Sequence, residues 1–284
     1  MAEFILLADS GATKTEWRLL GTKRSKSFFT TGISPYHMDV QQIYELLNNE
    51  MPSSVLKKPV KEIYYYGTGC KTTSNANIVK QSLLQLFPDA EIHVTHDLMG
   101  AAIALCAEKP GIACILGTGS NSCEFNGKKI VFNSPGLGYV LGDEGSGSYL
   151  GKKVLTHFLY QQFDKALIQA FEEQFQTNKE KILHQVYKEP NPNRYLASFT
   201  IFLSAHRGHY MIENIIEDGL RDFFDQHLNR YKSRFDVPIH FVGSISFHFK
   251  DKIAELCNNY GFTIGQVIQQ PMSGLVDYHL VRLA

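Results

Sequence analysis

The chain has 284 residues, is 44% hydrophobic and 12% aromatic, and sets 28 Lys and Arg against 28 Asp and Glu. That is enough apolar material for one or two packed domains, and the balanced charge leaves no net field to attract nucleic acid or an anionic membrane. No apolar run approaches the ~20 residues that span a bilayer, and Cys70, Cys106, Cys114, Cys123 and Cys257 form no CxxC pair, which predicts buried thiols in a reducing cytoplasm rather than a disulfide frame or a zinc site.

Residues 4–8 are an apolar strand running into Asp9, Ser10, Gly11, Ala12, Thr13, Lys14 and Thr15. Residues 16–20 alternate as a second strand before Gly21 and Thr22, and residues 26–30 read as a third. The chain thus begins in strand pattern, with no basic leader or cleavage site ahead, and a cytoplasmic protein is expected. The glycine turn lies in a hairpin, whereas a P-loop or dinucleotide fold needs a helix directly after it. Helical spacing follows at 40–49 (Val40, Ile43, Tyr44, Leu47), then a strand at 60–66 that ends in Gly67, Thr68 and Gly69. A helix at 75–87 stops at Pro88, a strand occupies 91–95, and a small-residue helix runs over 97–108. This order closes a first lobe near Gly111.

The second lobe opens with a strand at 112–116 and a polar tract, Gly117, Thr118, Gly119, Ser120, Asn121 and Ser122. A hairpin at 125–132 turns at Asn126 and Gly127. Residues 150–230 are mostly helical by periodicity, with a break at Pro190 and Pro192. A strand at 238–242 exits through Gly243 and Ser244, and helices at 250–260 and 274–283 close the chain. Strand, glycine turn, strand, strand, helices occurs twice. The boundaries predicted are 1–111 for the first lobe, 112–271 for the second, and 272–284 for a helix that packs back on the first.

The two glycine turns suggest two cradles for one polyphosphate. Glycine lets backbone approach an anion, and hydroxyls and free N–H groups supply donors. Gly11, Thr13, Lys14 and Thr15 form one set, and Gly117, Thr118, Gly119 and Ser120 the other. Lys14 reads equally as a solvated strand lysine. Asp9 reads either as a turn-stabilising residue or as a carboxylate that holds Mg²⁺ beside phosphates. Asp97, after His96 at a strand-to-helix junction, is either the helix N-cap or a cleft-facing base that deprotonates an alcohol. Residues 136–151 pack six glycines with Asp143 and Glu144. The acids are candidates for a metal shell or for sugar hydroxyls, and Gly145 and Gly147 would let backbone approach a nucleotide. Gly243 and Ser244 could lie flat against an adenine. His206 and His209 lack a third ligand and do not read as a zinc site.

Residues 8–15 (ADSGATKT), 96–102 (HDLMGAA), 116–122 (LGTGSNS) and 142–147 (GDEGSG) occur in this order and spacing. The set resembles the N-acetylglucosamine kinase and BadF/BadG-type ATPase family, part of the sugar-kinase, chaperone-ATPase and actin superfamily. The resemblance spans most of 4–151, resumes at 242–244 and 271–278, and leaves 152–240 unmatched. It implies an α/β, two-lobed, ribonuclease-H-like duplicated fold with ATP in the cleft between lobes. It implies Asp97 as the base for a sugar 6-hydroxyl. It places Ser34, Tyr36 and His37, within 31–37, where such kinases contact the amino sugar, and aligns Thr68, Gly69 and Asp143 with acceptor-pocket positions. Ser34, Pro35, Tyr36 and His37 stand where animal N-acetylglucosamine kinases carry an Asn-His-Trp-like run. The first turn has Ser10 and Ala12 where relatives often have glycines.

The expectation is therefore an ATP- and Mg²⁺-dependent kinase of an amino sugar, N-acetylglucosamine or a relative such as N-acetylmuramic acid or glucosamine. An amino sugar is the expected partner, with no nucleic acid or membrane, and a homodimer is one possible assembly. Two other readings use the same residues. One is an ATPase activator of an iron–sulfur dehydratase or reductase, which calls for a two-cysteine cluster site that these cysteines do not form. The other is a non-catalytic ATP and sugar sensor.

Overall fold

The computed structural model describes residues 4–11, 13–21 and 25–281. Ala12, Thr22 and the final residues of the C-terminal helix expected to reach Leu283 lie outside them. The chain divides into two compact units, Met1–Glu108 with Pro271–Ala284, and Lys109–Gln270.

The first unit is built on strands β1 (Phe4–Ser10), β2 (Lys14–Leu20), β3 (Ser25–Thr31), β4 (Val60–Gly67) and β5 (Glu91–His96), in the order β3-β2-β1-β4-β5. The first three strands pair antiparallel, and β1, β4 and β5 pair parallel. Helices α1 (Val40–Glu50), α2 (Ser53–Leu56), α3 (Thr73–Leu86) and α4 (Asp97–Cys106) accompany it. The core is one apolar cluster in which Leu6, Trp17, Ile43, Leu47, Ile63, Tyr65, Val79 and Leu83 are fully buried. Trp17 stacks on Phe28 at 6.0 Å and donates from Nε1 to Thr30 Oγ1 at 2.9 Å. α1 starts in a capping box, with Asp39 accepting from the Gln42 N–H and the Gln42 side chain returning to the Asp39 N–H. The small residues of α4 leave room for close helix packing. A Cβ on Gly274 of α14 (Met272–Val281) would meet the Ala104 carbonyl oxygen at 2.3 Å. α14 is further tied to β4 by Tyr66 Oη and His279 Nε2, 2.9 Å apart.

The second unit repeats the topology. Strands β6 (Pro110–Leu116), β7 (Ser120–Asn126), β8 (Ile130–Asn133), β9 (Ile239–Val242) and β10 (Ile264–Ile268) lie in the order β8-β7-β6-β9-β10. Again the first three are antiparallel and the last two join in parallel. Between its third and fourth strands lie α5 (Gly138–Leu141), α6 (Gly147–Leu159), α7 (Lys165–Phe175), α8 (Lys179–Tyr187), α9 (Pro192–Ser198), α10 (Thr200–Ala205) and α11 (Tyr210–Gln226). α12 (Ser244–His248) and α13 (Lys250–Tyr260) follow β9. An aromatic cluster, with Phe171, Phe199, Phe202, Phe223 and Phe241 buried, fills the space between sheet and helices. Every sheet strand up to β9 matches a predicted one. The sequence pattern gives no sign of β10, because Thr263 to Ile268 alternates weakly and follows directly on α13. The break at 190–192 is present, with Asn191 in left-handed backbone (φ 58°) ahead of Pro192 at the first turn of α9. Among the described residues no helix is long and apolar enough to cross a membrane.

Candidate active site

Both predicted glycine turns are tighter than their polar tracts suggest. β1 continues through Asp9 and Ser10, which pair with Glu16 and Thr15, so the strands close up to either side of Gly11 and Thr13. The Gly11 N–H is already bonded to the Lys14 carbonyl at 3.0 Å. In the second unit β7 begins at Ser120, so that turn is residues 117–119, closed by the Gly117 N–H on the Gly119 carbonyl at 3.0 Å.

In the first unit the parallel register sets Ser10, Gly67 and His96 level on β1, β4 and β5. Asp9, Thr68 and Asp97 therefore stand together at the C-terminal edge of the sheet, where open α/β sheets carry their ligands. The Thr68 N–H extends the pairing to the Ser10 carbonyl at 2.9 Å. Burial, with Asp97 and Glu16 adding like charge, pushes Asp9 up to about 7, against the opposing pull of Lys14. Burial also raises Asp97, opposed by the Leu98 N–H, which donates to Oδ1 at 2.8 Å, and by His96 and the Thr68 side chain. Burial lowers His96. Asp97 is not the N-cap that one of its two readings required. His96 occupies that position without a side-chain bond, and Asp97 is the first helical residue, where its carboxylate faces the helix dipole.

Other predicted residues fall as follows. The Thr15 hydroxyl corrects its reading as a phosphate donor: it is fully buried and bonds Ser10 Oγ at 2.7 Å. Lys14 is exposed, with Nζ 4.0 Å from the centre of the Phe29 ring. Residues 34–37 form a turn in which the His37 and Met38 N–H groups donate to the Ser34 carbonyl. That turn sits on the 67–69 turn, since a Cβ on Gly69 (φ 78°) would lie 3.0 Å from the Tyr36 ring. Ser34, Tyr36, His37, Thr68 and Gly69 are thus brought together in the first unit. Glu16, buried beside Asp9 and paired with Arg18 at 3.2 Å, reads in the sequence as an ordinary strand residue. Only the Asp9–Glu16 register exposes it.

In the second unit the GDEGSG tract is stitched to the glycine turn. The Gly147 and Ser148 N–H groups at the start of α6 donate to the Gly117 and Thr118 carbonyls at 2.8 and 3.0 Å. The Asp143 carboxylate accepts from the Ser120 N–H and lies where a Cβ on Gly119 would meet it at 2.9 Å. Burial raises its pKa, with Glu144 adding to the rise. Two of the N–H groups expected to face phosphate, those of Gly117 and Ser120, are therefore engaged internally. Ser120 Oγ, however, is buried without a hydrogen-bond partner, and a Cβ on Gly117 would meet nothing within 4 Å. The room at Gly145 and Gly147, expected for a nucleotide, is filled by Phe223 and Ala197. Gly243 (φ 128°) must be glycine, since its Cβ would lie 2.2 Å from the Leu116 carbonyl oxygen. This contact brings the β9 exit against the second turn.

No family model matches the chain. A solved Porphyromonas gingivalis protein provisionally assigned as an N-acetylglucosamine kinase is 38% identical to it, with a TM-score of 0.93 over 99% of this chain and 100% of that one. A second, from Chromobacterium violaceum and with the same provisional assignment, shares the fold at 15% identity, with a TM-score of 0.71 over 97% and 98% of the two chains. An N-acetylmuramic acid/N-acetylglucosamine kinase of Clostridium acetobutylicum is 27% identical over 164 residues, 55% of this chain. That match spans about half of the curated relative's length, 53%.

Proposed function

The chain belongs to the N-acetylglucosamine kinase family of actin-type ATPase folds, and we propose on that premise that it transfers the γ-phosphoryl group of ATP to the 6-hydroxyl of an amino sugar. N-acetylglucosamine is the first candidate acceptor. The observation that carries this reading is the carboxylate edge of the first unit. Asp97 is held at the exit of β5 beside Thr68, and its burial raises its affinity for a proton. Asp97 orients the attacking hydroxyl and accepts its proton.

The acceptor contacts fall to Ser34, Tyr36, His37, Thr68 and Gly69, with Asp143 as a further candidate. Phosphate contacts fall to Gly11, Thr13 and Lys14 and to Gly117, Thr118, Gly119 and Ser120. The unpartnered Ser120 hydroxyl and the open face of Gly117 support that assignment. Gly243 and Ser244 are assigned to the adenine side.

Asp9 and Asp143 are the candidates to hold Mg²⁺. Each is a single carboxylate in its own unit, and Mg²⁺ binds through one or two carboxylates together with substrate phosphates and water. A cation would also offset the burial and the like charge of Asp97 and Glu16 that together raise Asp9. When bound, Mg²⁺ neutralises charge on the phosphates.

The test is a coupled ADP-release screen with ATP and Mg²⁺ across N-acetylglucosamine, N-acetylmuramic acid, glucosamine and plain hexoses. Release stimulated by an N-acetylated amino sugar is expected. ATP hydrolysis indifferent to every acceptor would overturn the reading.

A further inference from the structure

One imidazole in the second unit holds both ends of a loop. His227, at the C-cap of α11 and 4% exposed, lies 2.9 Å from Ser134 Oγ through Nδ1 and 3.1 Å from Glu144 Oε2 through Nε2. These partners bracket residues 135–143, which carry exposed Leu137, Val140 and Leu141 and end at Asp143 in left-handed backbone (φ 58°). With the ring hydrogen on Nε2, the imidazole donates to the Glu144 carboxylate and accepts from the Ser134 hydroxyl at Nδ1. The start of the loop is fastened again by the Ser134 N–H, which donates to the Tyr231 hydroxyl at 3.2 Å, and that hydroxyl lies 2.7 Å from Ser122 Oγ on β7.

The helix behind the imidazole is shaped to reach this loop. A Cβ on Gly219 would fall 2.4 Å from Leu150 Cδ2, so α11 lies close on α6. One turn further on, Phe223 occupies the place of a Cβ on Gly145, 2.8 Å away, and stacks on His227 at 4.9 Å. Glu144 and Gly145 are therefore gripped by consecutive turns of one helix. Asp143, the next residue back, is pressed onto Gly119 and Ser120.

We propose that His227 is a positioning residue that fixes both ends of the 135–143 loop and so seats Asp143 on the second glycine turn. It acts on the reaction through Glu144 and Asp143. The catalytic consequence rests on the proposed kinase reading, whereas the clamp itself does not.

Hydrogen exchange and kinetics of His227→Ala and His227→Gln separate the two. In His227→Ala the Ser146, Gly147 and Ser148 amides, bonded to Asp143, Gly117 and Thr118, should exchange at least about tenfold faster. Turnover should fall roughly ten- to a hundredfold with the KM for ATP changed less than about threefold. His227→Gln, whose amide still donates to Glu144, should recover most of both. In an Asp143→Asn background, His227→Ala should add less than about twofold, because the two act as one unit. Ser134→Ala, which removes only the Nδ1 partner, supplies a milder variant if His227→Ala fails to fold, and should speed the same amides. Unchanged exchange in all variants, or losses that multiply in the double mutant, would overturn the proposal. Absence of sugar-dependent turnover in the wild type would sink the kinase reading and leave the exchange comparison decisive for the clamp.

Discussion

The two units share one sheet topology, yet their glycine turns acquire their carboxylates by different routes. In the first, β1 delivers Asp9 to the turn, β2 sets Glu16 opposite it, and β5 brings Asp97 alongside. Three carboxylates crowd one sheet edge, and burial, with the like charge of Asp97 and Glu16 added, holds Asp9 near 7. In the second, β6 delivers Leu116 and Gly117, and the strands carry no acid to the turn. Asp143 arrives instead from the segment inserted between β8 and β9, pinned through α6 and α11. A duplicated scaffold thus carries its acids in the strands of one copy and in an insertion of the other. In the first, burial and neighbouring carboxylates raise Asp9; in the second, burial raises Asp143, which accepts from the Ser120 N–H.

The largest effect expected from breaking this contrast is at Asp97. Asp97→Asn should lower sugar-dependent turnover by about a thousandfold while ATP affinity, measured by calorimetry, stays within about threefold. Retention of more than a few per cent of the rate would remove Asp97 from the base role.

The second turn offers a paired test. Gly243→Ala drives a Cβ into the Leu116 carbonyl at positive φ and should cost about 2–4 kcal/mol in denaturant unfolding. Gly117→Ala meets no protein atom within 4 Å. It should unfold within about 1 kcal/mol of wild type yet bind ATP more weakly.

The crowding in the first unit has a pH signature. Asp9 keeps its proton up to about 7 when folded but releases it near 3.8 when unfolded. Stability contributed at this site is present below 3.8 and is lost as pH rises to about 7. In nucleotide-free protein, Asp9→Asn should therefore gain thermal stability relative to wild type between pH 4 and pH 8, by roughly several degrees. A constant difference across that range would show that Asp9 titrates normally. The smallest effect is at the α1 capping box, where Asp39→Ala should cost about 1 kcal/mol without changing turnover.

Much of this molecule was legible in its sequence because the signals are local. Apolar strands that end in glycine and hydroxyl tracts, and the helical periods of 40–49 and 250–260, identified the elements. The order of the GDEGSG tract after LGTGSNS identified the family fold. Misreadings arose where side-chain direction depends on strand pairing. Thr15 looks like a phosphate donor in the chain, but its hydroxyl is buried against that of Ser10, its register partner. The glycines at 145 and 147 look like nucleotide contacts until Phe223 and Ala197 are found filling their space.

What the sequence determined alone was the duplicated strand plan, the two turns, and the candidacy of Asp9, Asp97 and Asp143, because each depends on neighbours a few residues away. Tertiary structure alone decided that Glu16 crowds Asp9 and that the 34–37 turn packs on Gly69 through Pro35 and Tyr36. It also placed His227, 83 residues beyond Glu144, as the clamp on that acid. Those relations join segments distant in the chain, and only the packing of the fold brings them within reach of a charge or a hydrogen bond.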